Sequence, residues 1–128
     1  MAKKKKILIV EDDKALVELL SQMFGNKTYS VDLALEIKEG FNKAKKSQPN
    51  LILLDILLSG ENGFDLLKKL KADIQTKDIP VIILSNLGQE REIKKALELG
   101  AVDYMVKADF SLDEVCTKIK TVLKDFKC

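Results

Sequence analysis

Five short apolar runs recur along the chain, and amphipathic segments separate them. The runs are KILIV (6–10), YSVDLA (29–34), LILLD (51–55), VIILS (81–85) and VDYMV (102–106). Runs of about four to six residues with little polar alternation are typical of parallel strands that are covered on both faces. The pattern therefore predicts five buried strands.

The segments between the runs carry apolar residues at helical spacing, which predicts one helix in each segment. The positions that indicate these helices are Leu16, Leu19, Leu20 and Met23; Ile37, Phe41 and Ala44; Phe64, Leu67 and Leu70; Ile93, Ala96 and Leu97; and Leu112, Val115, Cys116, Ile119, Val122, Leu123 and Phe126. Ser111 and Glu114 have the spacing of a capping box at the start of the last helix.

A strand followed by a helix, repeated five times, predicts an α/β fold. Alternation of this kind gives a doubly wound parallel sheet with helices on both faces. The chain has 128 residues, which fits one domain by the usual prior of roughly 100–200 residues. We therefore expect residues 1–128 to form a single domain, with no segment left for a second one.

Composition excludes several classes of function. The chain has no histidine, which removes Ser-His and Cys-His hydrolases, HExxH zinc sites and histidine phosphorelay. Arg91 is the sole arginine, so the chain has almost no side chains that could make bidentate hydrogen bonds to guanine or phosphate. With 22 basic and 20 acidic residues interspersed along the chain, we expect no direct contact with nucleic acid.

The location is predicted from what the chain lacks. No apolar run approaches the roughly 20 residues that span a bilayer, and the start MAKKKKILIVEDD lacks the long apolar stretch of a signal peptide. We expect a cytoplasmic protein without a membrane partner. Cys116 and Cys128 match no zinc spacing, and in that compartment we expect no disulfide between them.

Charged and polar residues follow the predicted strands at their carboxyl ends. Glu11 and Asp12 follow the first strand, Asp55 ends the third, Ser85 ends the fourth and Lys107 follows the fifth. In open α/β sheets, ligands bind outside the carboxyl ends of the strands. These residues are therefore expected to meet on one rim.

Each of these residues also has an ordinary structural interpretation. Asp13 suits a helix cap, and Glu11 and Asp12 suit first-turn acids that the helix dipole favours. Ser85 alone is typical of a turn hydroxyl, and Lys107 alone is typical of a surface lysine. Taken together these interpretations are weak, because all the residues fall on the rim where chemistry is expected.

The combined set has the chemistry of phosphoryl transfer. Crowded carboxylates repel, so at least one pKa should rise unless a cation intervenes. Oxygen ligands without histidine or thiolate suit Mg²⁺, or Mn²⁺ in its place. Asp55 is then the nucleophile that attacks phosphorus, while the metal and Lys107 neutralise charge on oxygen. This role explains a carboxylate in the middle of an apolar stretch.

The motifs carry a family resemblance along the whole chain. The stretches ILIVEDD, LILLDILLSGENGFDLL, IPVIILS and ALELGAVDYMVKADFSLDEV occur in the order typical of one family. The chain resembles a bacterial two-component response-regulator receiver domain of the CheY-like type. The resemblance implies a flavodoxin-like (β/α)5 fold with strand order 2-1-3-4-5. It also implies a signalling domain rather than an enzyme.

The resemblance assigns roles at the acidic end of the site. It implies that Asp55 is the phosphoacceptor. Asp12 and Asp55 are expected to bind Mg²⁺ directly, together with the backbone carbonyl of Leu57. Glu11 is expected to hold a metal-bound water.

Three further residues are implied in stabilising the phosphoryl group and in switching. Lys107 and Ser85 match the phosphoryl-stabilising positions, while Ser85 and Tyr104 match the switch pair. Phosphorylation is expected to draw the Ser85 hydroxyl toward Asp55, after which the Tyr104 ring turns inward. The surface expected to respond comprises helix four, strand five and helix five.

Several positions depart from the family pattern. Ser59 and Ala108 stand where proline is common, so the peptide before Ala108 is expected to be trans. Asn86 replaces a small residue and narrows the access of a phosphodonor. Leu57 and Leu87 are apolar where other receivers carry polar groups that assist an attacking water. These departures affect rates and loop geometry more than the catalytic set.

The resemblance implies two partners, and two alternatives stay open. The partners are a sensor histidine kinase or phosphotransfer protein, which supplies the phosphoryl group, and a downstream protein target. One alternative is an aspartate-nucleophile phosphatase, although Leu57 stands where such enzymes place a second acid. The other is a pseudo-receiver, which uses the fold for binding without phosphorylation.

Overall fold

The computed structural model describes residues 5–24, 29–58 and 60–124. The main strands are β1 (Lys5–Val10), β2 (Tyr29–Ala34), β3 (Leu51–Leu54), β4 (Val81–Ser85) and β5 (Asp103–Val106). The helices are α1 (Lys14–Phe24), α2 (Ile37–Ser47), α3 (Gly63–Ala72), α4 (Glu90–Glu98) and α5 (Leu112–Val122). A 3₁₀ turn follows β5 at Lys107–Asp109. Leu57–Leu58 pairs antiparallel with Glu61–Asn62, and we call this pair the 57–62 hairpin.

The five main strands form one parallel sheet in the order β2-β1-β3-β4-β5. The predicted fold class and strand order are therefore confirmed. Val10 pairs with Leu54 in the register of β1 and β3, so Glu11 and Asp55, which follow them, start side by side. The backbone N–H of Asp55 continues this pairing by donating to the Val10 carbonyl at 3.0 Å.

The other side of β3 brings the remaining rim residues into place. Ser85 pairs with Val106 in the register of β4 and β5. Lys107 follows Val106 directly, so its side chain leaves the sheet next to the end of β4. Four neighbouring strand ends therefore deliver Glu11, Asp55, Ser85 and Lys107 to one edge of the sheet.

Two apolar layers cover the two faces of the sheet. One layer packs α2, α3 and α4 against the sheet through residues that include Ile37, Ala44, Leu67, Leu70 and Ala96. The other packs α1 and α5 through residues that include Leu20, Phe24, Val115 and Ile119. Burial on both faces explains the continuous apolar runs of β1, β3 and β4. The prediction of a buried strand was wrong for β2, because it is an edge strand that leaves Asp32 and Leu33 exposed.

Local signals in the sequence set the starts of two helices. The carboxylate of Asp13 accepts from the N–H groups of Ala15 and Leu16 at 3.1 and 3.3 Å, so its predicted cap is confirmed. Ser111 accepts from the N–H of Glu114 at 3.3 Å. These contacts satisfy donors that a helix start leaves without partners.

Some features of the fold differ from the sequence-based expectation. The 57–62 hairpin and the 3₁₀ turn were not predicted, because short irregular pairings carry no periodic signal. Cys116 is buried as expected, but it is disulfide-bonded. That expectation was wrong because it rested on the redox state of a compartment and not on geometry. Ser59, Cys128 and the predicted helix position Phe126 lie outside the described residues.

None of the helices within residues 5–24, 29–58 and 60–124 combines the length and apolar character that crossing a bilayer requires.

Candidate functional site

Asp55 is the buried carboxylate at the centre of the rim. It follows β3 directly, and the residue is 5% exposed. One carboxylate oxygen, Oδ1, accepts from the backbone N–H of Leu57 at 2.9 Å. The other, Oδ2, accepts from the ammonium of Lys107 at 2.9 Å. Charge-assisted hydrogen bonds on both oxygens make a buried carboxylate tolerable.

Lys107 contacts both Glu11, which follows β1, and Asp55, which follows β3. Its Nζ forms ion pairs with Glu11 Oε1 and with Asp55 Oδ2, and its side chain is 13% exposed. Burial acts to lower the pKa of Lys107, but its hydrogen bonds to the two carboxylates and their negative charges outweigh that effect and raise the pKa. The lysine is therefore a fixed positive charge between Glu11 and Asp55.

Glu11 is a second buried carboxylate of the rim. Its Oε2 accepts from the backbone N–H groups of Asp12 and Asp13 at 3.0 and 3.1 Å. Burial, assisted by the negative charge of Asp55, raises the pKa of Glu11 to about 7 against the lowering effect of Lys107. The predicted rise of at least one carboxylate pKa is thus confirmed at Glu11.

The acidic residues form a group that fits a hard divalent cation. Glu11, Asp12 and Asp55 each offer an oxygen, and these oxygens lie within 4.8 Å of one another. Carboxylate oxygens without imidazole or thiolate suit Mg²⁺, which usually keeps several waters. The donor set therefore fits the predicted metal. The Leu57 carbonyl remains a predicted ligand, since the contact the structure gives for this residue is through its N–H.

The predicted switch pair borders the loop between β4 and α4. Ser85 is fully buried, and its hydroxyl accepts from the N–H of Leu87 at 3.3 Å. Tyr104 is 7% exposed, and its hydroxyl donates to the Leu87 carbonyl at 2.5 Å. The inward ring that the sequence analysis assigned to the switched state is the orientation in this structure. The sequence did not predict the contacts of Leu87 with Ser85 and Tyr104, because Leu87 makes them with its backbone N–H and carbonyl groups.

The departures from the family pattern leave the rim assembled. The described residues contain no cis peptide bond, so the Lys107–Ala108 peptide is trans, as predicted. The 3₁₀ turn that begins at Lys107 still allows its ammonium to reach Asp55. Leu57 is about half exposed and Asn86 is exposed, so both side chains are available at the mouth of the site.

Gly63 is a positioning feature that the sequence analysis missed. A Cβ at this position would lie 2.3 Å from the carbonyl oxygen of Asp55 and 2.7 Å from Cα of Ile56. Its N–H donates to the Ile56 carbonyl at 2.7 Å, so α3 begins in direct contact with the Asp55 backbone. The sequence signal was Asn62, whose side chain caps the N–H of Phe64 at 2.9 Å and marks a helix start.

The raised pKa of Glu11 predicts a pH-dependent stability in metal-free buffer. Between pH 4.5, its ordinary pKa, and about 7, the folded protein holds a proton that the unfolded chain has released. The free energy of unfolding should therefore fall as pH rises through this window, by about 2–3 kcal/mol. Denaturant unfolding with a chelator, from pH 4.5 to 8, measures the fall. Glu11→Gln should lack this component, and parallel profiles for the two proteins would contradict the assignment.

Relief of charge crowding predicts that Asp55→Asn stabilises the metal-free protein. The variant removes one charge that raises the pKa of Glu11, while Glu11 continues to hold Lys107. The free energy of unfolding should rise by about 1 kcal/mol at pH 7.5. Mg²⁺ should stabilise the wild type but have little effect on the variant. Asp78→Asn, at an exposed position, is the control, and a less stable metal-free Asp55→Asn would refute the crowding.

The sequence matches one protein family over most of its length. That family is described as "Response regulator receiver domain", and the match covers residues 7–120. Among curated proteins, the chain is 37% identical to the transcriptional regulatory protein CusR of Escherichia coli over 93% of this chain and 51% of that protein. It is 34% identical to the DNA-binding regulator RpaA of Synechocystis over 93% of this chain and 49% of that protein. The chain thus spans about half the length of the curated relatives it matches.

Solved structures agree with the sequence comparison. The receiver domain of HemR from Leptospira biflexa, in its non-phosphorylated form, superposes with a TM-score of 0.85 at 31% identity, covering 98% of each chain. A two-component response regulator from Clostridium difficile gives a TM-score of 0.85 at 29% identity, covering 98% of this chain and 100% of that chain. Fold, site chemistry and sequence agree, and the chain belongs to the response regulator receiver domain family.

Proposed function

We propose that the chain accepts a phosphoryl group on Asp55 from the phosphohistidine of a sensor histidine kinase or a phosphotransfer protein. The observation that carries the proposal is the environment of the Asp55 carboxylate. It is buried between the Lys107 ammonium and the Leu57 amide, with Glu11 and Asp12 beside it. A nucleophile held in this way, next to fixed cationic and N–H groups, suits phosphoryl transfer.

The transfer step uses groups that the fold has already placed. A carboxylate oxygen of Asp55 forms a bond to phosphorus as the bond from phosphorus to the donor's imidazole nitrogen breaks. The nitrogen keeps the electron pair of the broken bond. Lys107 stands where it neutralises charge on the transferred oxygens, and the Leu57 N–H is a further donor to them. These groups need little rearrangement as the charge develops.

The proposed metal site is formed by the carboxylates of Glu11, Asp12 and Asp55. Asp12 and Asp55 would hold Mg²⁺, or Mn²⁺, directly, with the Leu57 carbonyl, and Glu11 would hold a water of the metal. The bound cation supplies charge neutralisation between the carboxylates and the incoming phosphoryl oxygens. It would also offset the negative charge of Asp55, which adds to burial in raising the pKa of Glu11.

A groove lined in part by Ile56 and Leu57, the two residues that follow Asp55, suits the approach of the donor. Its volume is about 430 Å³, and its walls include Leu57, Phe64 and Leu87. Leu57 and Leu87 can pack against an imidazole ring, whereas the ring of Phe64 lies under the ammonium of Lys95 at 4.5 Å. The groove lies between the 57–62 hairpin and α4, so a docked donor would touch both.

The proposed output is a change in the surface formed by α4, β5 and α5. Ser85 and Tyr104 both contact Leu87, which leads into α4. A phosphoryl oxygen that captures the Ser85 hydroxyl would change the contacts that hold this loop. The phosphoryl group then acts as a switch because it binds one of two pre-existing arrangements more tightly.

The chain would act in the cytoplasm on a downstream protein target, without direct contact with nucleic acid or a membrane. RpaA is described as DNA-binding, but this chain spans 49% of that protein, so the property is not carried over. The ion pairs of Lys107 favour a phosphorylatable receiver over a pseudo-receiver. The chain's own chemistry would be limited to its phosphotransfer and dephosphorylation.

The phosphoacceptor is tested by intact mass after incubation with Mg²⁺ and a small phosphodonor. Wild type should gain one phosphoryl group, and the gain should vanish with a chelator or with Asp55→Asn. Asp13→Asn, which alters a helix cap next to the acidic group, is the matched control and should still be labelled. If Asp55→Asn were labelled on another aspartate to the same extent as wild type, Asp55 would not be the nucleophile.

The relay through Ser85 is tested by Ser85→Ala. The variant should still be phosphorylated on Asp55, because the hydroxyl is not the nucleophile. It should lose most of the change in amide exchange across residues 88–110 that beryllofluoride, a phosphoryl mimic, causes in wild type with Mg²⁺. Thr121→Ala, which removes an exposed hydroxyl, should respond normally. A full response in Ser85→Ala would exclude the hydroxyl relay.

A further inference from the structure

The 57–62 hairpin is linked directly to the Asp55 carboxylate. Its first residue, Leu57, donates its N–H to Asp55 Oδ1 at 2.9 Å. Leu57 pairs with Asn62, and Leu58 pairs with Glu61. A hairpin of two residue pairs is marginal by itself in water. Its position, and with it the direction of the Leu57 amide, must therefore depend on contacts outside the hairpin.

Glu61 supplies such a contact, and it reaches a different element of the fold. Its Oε1 accepts from the backbone N–H of Ile37 at 3.0 Å. Ile37 is the first residue of α2, and the preceding residue, Glu36, makes no side-chain cap. The start of α2 is thus capped from the hairpin. The carboxylate also lies at the positive end of the helix dipole, where a negative charge is favoured.

The other end of the hairpin is held by α3. Asn62 accepts from the N–H of Phe64 at 2.9 Å, and Gly63 contacts the Asp55 backbone. These contacts fix the side of the hairpin that continues into α3. The contact that Glu61 makes with Ile37 joins the hairpin to the β2–α2 side of the fold. The hairpin is therefore braced between two helices, directly next to the carboxylate.

We propose that Glu61 is a positioning residue for the Asp55 site, because its bond to the start of α2 holds the hairpin so that the Leu57 peptide stays directed at the site. The expected effect of Glu61 on Mg²⁺ binding and phosphotransfer rests on the proposed function. The expected effect of Glu61 on the Leu57 amide does not, since the hydrogen bond of that amide to Asp55 is present in the structure.

The coupling must act in both directions. If Glu61 favours the placement of Leu57 that binds metal and phosphoryl group, then binding at Asp55 must strengthen the bond between Glu61 and Ile37 by the same factor. A side chain that only caps α2 would show neither effect. Its loss would expose the Ile37 amide and would leave Leu57 and the metal affinity unchanged.

Three variants of the full chain separate these possibilities. Glu61→Ala removes the acceptor. Glu61→Gln removes the charge but keeps an oxygen that can accept from the Ile37 N–H, so it is the rescue variant. Glu36→Ala is the matched control, because it removes an exposed carboxylate at the same helix start that makes no cap.

The first measurement is amide exchange in metal-free buffer. In Glu61→Ala the Leu57 and Ile37 amides should both exchange about five-fold faster than in wild type, which is the lower end of typical coupling between sites. Glu61→Gln should restore most of the protection, and Glu36→Ala should match wild type at Leu57. Faster exchange at Ile37 alone would overturn the proposal, because it would show a helix cap without a positioning role.

The second measurement uses Mg²⁺ alone and Mg²⁺ with beryllofluoride. Glu61→Ala should bind Mg²⁺ about five-fold more weakly than wild type, and Glu61→Gln should be close to wild type. Beryllofluoride should slow exchange at Ile37 in wild type but not in Glu61→Ala. If wild type takes up neither probe, the proposed function fails, while the Leu57 exchange still decides the role of Glu61. If wild type binds both and Glu61→Ala binds them equally well, the positioning role is overturned.

Discussion

The rim depends on one interaction, the placement of the Lys107 ammonium between the carboxylates of Glu11 and Asp55. Two acids buried at neighbouring strand ends would otherwise repel each other in a region with little water, where charge interactions are strong. The lysine lowers the pKa of Glu11, but burial, the largest cause, together with the charge of Asp55 outweighs it and raises that pKa to about 7. The single positive charge of Lys107 holds the two carboxylates together but does not balance the negative charge of the acidic residues. A divalent cation would supply the missing positive charge.

Most of the fold could be predicted from the sequence, because two-sided burial and helical periodicity leave strong signals. The strands β2 and β4 begin and end as predicted, and the order follows the family resemblance. The rim residues were also found from the sequence, since the carboxyl ends of parallel strands share one edge. Glu11 and Asp55 meet there because the register places Val10 beside Leu54, and Lys107 reaches both from the end of β5.

The parts that sequence reasoning missed act through backbone atoms or through short irregular pairings. Leu87 contacts Ser85 and Tyr104 by its N–H and its carbonyl, and any residue type carries those groups. Glu61 reaches the start of α2 across a separation in sequence that no local pattern records. Gly63 is required by a close approach to the Asp55 backbone, which becomes visible only once the chain is folded. Such contacts decide how accurately the predicted residues are placed.

The central claim is that Asp55 receives the phosphoryl group while Lys107 stays in contact with the site. A crystal structure of the protein with Mg²⁺ and beryllofluoride tests it most directly. The account predicts the mimic on a carboxylate oxygen of Asp55, the cation on Asp12, Asp55 and the Leu57 carbonyl, and the Lys107 ammonium within hydrogen-bond distance of a fluoride. A mimic bound elsewhere, or a Lys107 side chain turned away into solvent, would contradict the account.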